Sequence, residues 1–184
     1  MNKFNPNILR TNSVLKPSAQ TIKLCDLGNQ SKEKVTTIES VLGKVRNQSK
    51  AVQALVELQF RYGLRVSEVL NIRHMHIKSN GMVLVKGLKG SDSRVVYVFN
   101  NWEYLNFCKV NKIDPFKDLD RFFLYRLYKS VGFIYQSKGS SKLSVTHSFR
   151  HKIIDSMRKS GVENEETAKF IGHKSEKNTE NYGG

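Results

Sequence analysis

Cysteine, proline and acidic residues are all scarce in this chain of 184 residues, which has 2 Cys, 3 Pro and 16 Asp plus Glu. Cys25 and Cys108 lie far apart, outside any CxxC pair or Cys/His cluster, so a disulfide framework and a cysteine zinc site are poor readings and reduced, packed thiols are expected. No apolar run reaches the ~18 residues that a membrane-spanning helix needs. The start, Met1-Asn-Lys-Phe-Asn-Pro, lacks the apolar stretch of a signal peptide, and the expectation is a soluble protein of the cytoplasm. Neither a phosphate-binding P-loop nor an acidic metal cluster is present, and the lack of internal repeats argues against a solenoid. Nothing resembles the aromatic motifs or the glycine-loop clamp of RNA-binding modules. Against the shortage of acid stand 31 Lys plus Arg, for a net charge of +15. Such an excess names a partner class, nucleic acid, and no more than that.

A hydrophobic fraction of 39%, with 10% aromatic residues, supports a packed core, and the length suits one domain with an appended arm. Residues 1–34 are rich in Asn, Ser, Lys and Gln, and Pro6 and Pro17 interrupt any periodicity. That stretch reads as a flexible N-terminal arm or remnant linker, and 35–184 as the domain. Thr36-Thr37-Ile38-Glu39 has capping-box spacing and predicts a helix over 37–46. From Ser49, a second cap, Val52, Leu55, Val56, Gln59 and Tyr62 recur at helical steps up to Gly63, and another helix starts at Ser67. Met82–Lys86 and Arg94–Phe99 are β-branched and aromatic runs separated by Gly-Leu-Lys-Gly-Ser-Asp-Ser, which predicts a hairpin with a basic tip. Apolar spacing predicts further helices over Trp102–Val110, Leu119–Val131, Ser148–Lys159 and Glu163–Ile171. Gly161 and Gly172 fall at C-terminal caps, and 132–144 reads as a loop. The fold class is α+β, mostly α: a helical domain with a small antiparallel sheet.

Three patches hold polar groups that could carry chemistry. In Gly63-Leu64-Arg65-Val66-Ser67-Glu68, an Arg after a glycine break and beside a helix start can hold an anion while Glu68 fixes a neighbour; taken alone, a surface Arg–Glu pair explains it as well. At the hairpin, Lys86, Lys89 and Arg94 could reach a phosphate oxygen or a DNA groove, or could simply be solvated turn residues. Only a lysine there has a proton to give, since arginine stays charged. The third patch is Thr146-His147-Ser148-Phe149-Arg150-His151, then Gly172-His173, then Tyr182. His147 and Arg150, at i,i+3, share a helical face, while Phe149, Ile153 and Met157 mark a core-directed one. His147 and His151 have zinc-pair spacing without the Glu or third ligand that a zinc site needs. His74 and His76 read as surface polar groups near the first strand.

Together these patches resemble the tyrosine recombinase (phage integrase) family in both order and spacing. Gly63-Leu64-Arg65-Val66-Ser67-Glu68 is similar to its first-arginine box, and Lys89-Gly90-Ser91-Asp92-Ser93-Arg94-Val95-Val96 to its lysine-bearing β turn. His147-Ser148-Phe149-Arg150-His151 is similar to its His-x-x-Arg box and Gly172-His173 to its Gly-His box. Tyr182, nine residues beyond His173, stands at its nucleophile position. The match runs from Thr36 to Tyr182 and makes 35–184 a catalytic domain.

The resemblance implies site-specific cleavage and rejoining of DNA strands through a 3′-phosphotyrosyl intermediate, with no cofactor and no metal. It gives Tyr182 as nucleophile, His147 as base, and Arg65 and Arg150 as the clamp on the phosphate. His173 would be a further donor, Lys89 the acid with Lys86 as rival, and Glu68 a supporting carboxylate. Lys86 and Arg94 are expected to contact DNA. The implied partner is double-stranded DNA, bound as a homo-oligomer with a dimer per site and a tetrameric synapse, with accessory DNA-bending factors possible. Localisation would be with the nucleoid, or in a host cytoplasm if phage-encoded. The alternatives are a type IB topoisomerase-like enzyme and a non-catalytic DNA-binding regulator on the same fold. Three departures stand out. Some 35 residues cannot supply the N-terminal helical domain that members usually carry, so a minimal enzyme or a fragment is expected. The chain stops just after Tyr182, where many members continue into a helix that docks on a neighbour. Tyr97 occupies a strand position where the family often has proline.

Overall fold

A computed structural model describes residues 37–88, 91–136 and 143–173. The stretch 1–34 read as an arm, the Lys89 position and Tyr182 all lie outside the described residues.

The chain enters helix α1 (Ile38–Lys44), whose cap is Thr37 and not Thr36: its hydroxyl accepts the Ser40 amide at 3.2 Å. The hydroxyl cap is thus one residue further along than the spacing in the sequence suggests. Helix α2 (Lys50–Tyr62) starts on Ser49, whose hydroxyl accepts the Val52 amide at 3.4 Å. It stops at Gly63, which is left-handed at φ 58°. Its predicted face is buried, but so are Ala54, Glu57, Leu58 and Phe60, because α1, the short helix α3 (Val66–Leu70) and later elements pack around it. α2 is therefore the central helix of the domain, where the pattern alone describes a one-sided one.

After α3, His74–His76 form a single 3-10 turn beside the first strand, as the sequence suggests. His76 is buried, with Nδ1 accepting the Arg73 amide at 3.0 Å, and His74 joins Asp114 at 3.0 Å. The expectation of two surface imidazoles is corrected for His76: the turn points it inward. Strands β1 (Met82–Val85) and β2 (Arg94–Tyr97) pair antiparallel, with Met82 opposite Tyr97 and Val85 opposite Arg94. Tyr97 has its own reason to stand where the family often has proline, since its amide donates to the Tyr62 hydroxyl at 3.1 Å. Proline has no such proton.

The turn out of β2 closes on a buried carboxylate. Glu57 accepts the Phe99 and Asn100 amides at 2.9 and 3.0 Å and the Asn101 side chain at 2.8 Å. Helices α4 (Trp102–Val110) and α5 (Arg121–Ser130) follow, the second capped by Asp120. The stretch read as a loop contains a second, minimal hairpin, β3 (Tyr135–Gln136) against β4 (Leu143–Ser144). Helices α6 (Ser148–Lys159) and α7 (Asn164–Ile171) complete the described chain, and α6 packs on α2 and α7. Phe149 anchors α6 in an aromatic cluster with Phe60, Tyr128 and Phe133, at ring separations of 4.9–5.8 Å. None of the helices among the described residues is long and apolar enough to cross a membrane.

Candidate active site

The site is assembled where the ends of α2, β2, α6 and α7 converge. Gly63 has two reasons to be glycine. It is left-handed, and a Cβ there would lie 2.8 Å from Ile171 Cδ1 and 3.3 Å from Arg150 Cα. The close approach lets Arg150, buried at 1% exposure on α6, donate from Nη1 to the Gly63 carbonyl at 2.9 Å. Two residues on, Arg65 caps α3 in an extended conformation. Glu68 closes half a capping box by accepting the Arg65 amide at 2.9 Å, and its other oxygen takes Arg65 Nη1 at 3.0 Å.

The same carboxylate receives Arg94 Nη2 at 3.2 Å, and this overturns one expectation. Arg94 was expected at an exposed, DNA-facing tip; the pleat of β2 instead turns it inward with Val96, leaving it about 9% exposed. It ends against Gly172, the left-handed cap of α7, where a Cβ would overlap Nη1 and stand 2.9 Å from Cζ. Ser91 joins from the hairpin. Its hydroxyl accepts Arg65 Nη1, and its backbone forms an antiparallel bridge with His173. Lys86, at the end of β1, is exposed.

His147 caps α6 half-buried, and His173 is buried just beyond α7. Burial depresses both imidazoles to about 4, and the Arg150 and Arg65 guanidiniums add to the effect on each. Arg121, exposed at the start of α5, also acts on His147, and Arg94 on His173. Both rings are thus neutral at pH 7, each with one N–H and one lone pair. For Glu68 burial works the other way, but Arg94, the Arg65 amide, Arg150 and Arg65 outweigh it and hold the carboxyl below its ordinary value. His151 stacks on Tyr135 at 5.2 Å and adds to the depression of His147, while burial and Arg150 lower its own pKa.

Arg65, Glu68, Arg94, His147, Arg150 and His173 therefore share one electrostatic neighbourhood, although the sequence spreads them over more than half the chain. Three guanidiniums face one carboxylate, an excess of positive charge suited to an oxyanion. Ser91 and Gln59 were not singled out from the sequence as site residues. Gln59 left a usable signal, a polar side chain on the buried face of α2; Ser91 left none.

No protein-family model matches the chain. A tyrosine recombinase of Agathobacter rectalis is 30% identical over 135 residues, covering 66% of this chain and 44% of its own length. The tyrosine recombinase XerC of Lactobacillus leichmannii is 27% identical over 146 residues, covering 71% and 49%. The chain thus spans about half the length of the curated relatives it matches. Among solved structures, the catalytic domain of bacteriophage HP1 integrase superposes with a TM-score of 0.55 at 17% identity, covering 79% of this chain and 82% of that one. XerH recombinase bound to its difH substrate superposes with a TM-score of 0.58 at 18% identity, covering 87% and 49%. In sequence the chain is similar to tyrosine recombinases, and it has the mostly helical fold, with a small antiparallel sheet, of their catalytic domain.

Proposed function

We propose that residues 35–184 are the catalytic domain of a site-specific DNA recombinase or integrase that cleaves and rejoins strands through a 3′-phosphotyrosyl intermediate. The observation that carries this reading is the meeting of Glu68, His147 and His173 about the Arg65 and Arg150 guanidiniums. In the proposed step the Tyr182 oxygen attacks phosphorus and the bond from phosphorus to the 5′ oxygen breaks. His147 takes the phenol proton, and Lys89, with Lys86 as the alternative, gives a proton to the departing oxygen. A free phenol, with pKa near ~10, is ionised only about one part in a thousand at neutral pH, so the base matters. His147 is neutral there and has a lone pair to offer.

Arg65 and Arg150 would clamp the non-bridging oxygens, whose charge grows in the transition state, and His173 would donate a further hydrogen bond. Glu68 supports the clamp by fixing Arg65 through both backbone and side chain. The partner is double-stranded DNA. XerH and lambda integrase have been solved on DNA sites, the latter as a dimer, and the same dimer per site and a tetrameric synapse are proposed for this protein, acting in the cytoplasm with DNA-bending accessory factors. The test is strand exchange between two labelled duplexes that carry the sequence flanking the coding region. Recombinant product that is lost in Arg65→Ala and Arg150→Ala supports the reading. Relaxation of an arbitrary plasmid without exchange would make the protein a topoisomerase, and binding with neither activity would make it a regulator.

A further inference from the structure

Gln59 is an unusual occupant of the centre of a helix core. It lies in the last turn of α2 at 1% exposure, flanked by Leu55, Leu58 and Phe60, all buried. Its side-chain amide is nonetheless fully engaged. Nε2 donates to the Leu64 carbonyl at 2.8 Å and to the Thr146 carbonyl at 3.3 Å. Oε1 accepts the hydroxyl of Tyr128 from α5. Because both Nε2 partners are carbonyls, only this orientation of the amide satisfies them. The Tyr128 ring is itself held edge-on between Phe133 and Phe149, at 5.5 and 5.8 Å, so the hydroxyl that aims Gln59 has little freedom.

What those two carbonyls precede gives the contact its meaning. Leu64 is followed by Arg65, and Thr146 by His147. One amide therefore bridges the backbones just ahead of two groups of the site, which stand some 80 positions apart in the chain. The neighbouring Gly63 carbonyl is taken by Arg150 from α6, so successive carbonyls of one turn are gripped from two directions. The Gln59 backbone adds to the grip, since its own carbonyl accepts the Gly63 amide at 2.9 Å. Without the side-chain bridge, the turn that carries Arg65 remains packed but loses its fixed distance to the start of α6.

We propose that Gln59 is a positioning residue that sets the register between Arg65 and the His147–Arg150 segment. The claim rests on the recombinase reading for its effect on rate, and on geometry alone for its effect on the site. Gln59→Met keeps the length and apolar volume and removes both donors. Single-turnover formation of the covalent adduct, measured with saturating suicide duplex from the flanking DNA, is expected to fall about 10²-fold, the scale of an ångström-sized misplacement. DNA affinity should stay within about threefold, since it comes mainly from phosphate neutralisation by surface charge. Tyr128→Phe frees the far end of the amide while leaving both donor bonds possible, and a smaller fall in the same direction is expected. It decides the matter should Gln59→Met fail to fold.

A readout independent of chemistry is the NMR titration of the His147 ring. It should rise toward its ordinary value in Gln59→Met as the ring drifts from its half-buried place beside Arg150. A folded Gln59→Met variant with an unchanged His147 titration and a rate within twofold of wild type would overturn the proposal, as would a rate loss matched by an equal loss of DNA affinity. If the wild type itself forms no adduct, the recombinase reading falls and the titration alone decides the positioning claim.

Discussion

Gly172→Ala is the sharpest perturbation of the arginine cluster, because it adds one methyl group where the Arg94 guanidinium lies. Two separate costs follow. A non-glycine residue at φ 76° carries a left-handed penalty of about 1–2 kcal/mol. The new Cβ also overlaps Arg94 Nη1 and sits 2.9 Å from Cζ, so the guanidinium must leave and Glu68 loses a buried partner. Breaking a buried ion pair from one side costs about 3–5 kcal/mol, and the lower end applies here because Arg65 still holds Glu68. The expected total is about 4–5 kcal/mol. At about 2–4 °C per kcal/mol for a chain of this size, the melting temperature should fall by roughly 10–20 °C. The assay is a double-mutant cycle by urea denaturation with Arg94→Leu, whose shorter side chain ends before the overlap. In that background Gly172→Ala should cost only the backbone part, about 1–2 kcal/mol, leaving a coupling of about 3 kcal/mol. Equal penalties in the two backgrounds would refute the packing of Arg94 on Gly172 and, with it, the inward placement of Arg94.

Two other expectations are independent of that cycle. His147 and His173 titrate near 4 in the folded protein against an ordinary 6.5, so the unfolded chain binds more protons between those values. Stability should therefore be full above pH 6.5 and fall as pH drops toward 4, with Glu68 adding to the loss below its ordinary 4.5; a melting temperature flat from pH 7 to 4.5 would contradict the burial of these rings. For DNA binding, Lys86→Ala should lower the slope of log affinity against log salt by about one phosphate contact, whereas Arg94→Leu, if folded, should leave the slope unchanged because its charge is spent on Glu68. The opposite pattern would return Arg94 to the DNA surface.

The elements legible in the sequence are those with a local physical cause. Ser49 and Gly63 bracket α2 because a hydroxyl cap and a left-handed glycine act within one turn of the chain, and Gly172 ends α7 for the same reason. The β1–β2 hairpin was readable from its β-branched runs, but the face that each residue takes was not. The run from β2 onward alternates Arg94, Val96 and Val98 with Val95, Tyr97 and Phe99, and both sets are apolar enough to line a core. Arg94 was misplaced for that reason. The β3–β4 hairpin has two residues per strand, too few for any periodicity. His76 turned inward because the 3-10 turn that carries it brings its Nδ1 onto the Arg73 amide. Within the site, Arg65, Glu68, His147, Arg150 and His173 were readable as motifs. The reach of Arg94 to Glu68, the common influence of Arg65 and Arg150 on both imidazoles, and the bridge through Gln59 are long-range facts that no local spacing encodes.

The central claim is covalent strand transfer by Tyr182. It is tested most directly by trapping an SDS-resistant adduct on nicked flanking-sequence DNA with the wild type beside Tyr182→Phe and Arg150→Lys. The expected result is an adduct in the wild type, none in Tyr182→Phe, and formation slowed about 10²-fold or more in Arg150→Lys, where the bidentate clamp on the phosphate is lost. An adduct that persists undiminished in Tyr182→Phe, or a wild type that binds this DNA tightly and never forms one, would contradict it.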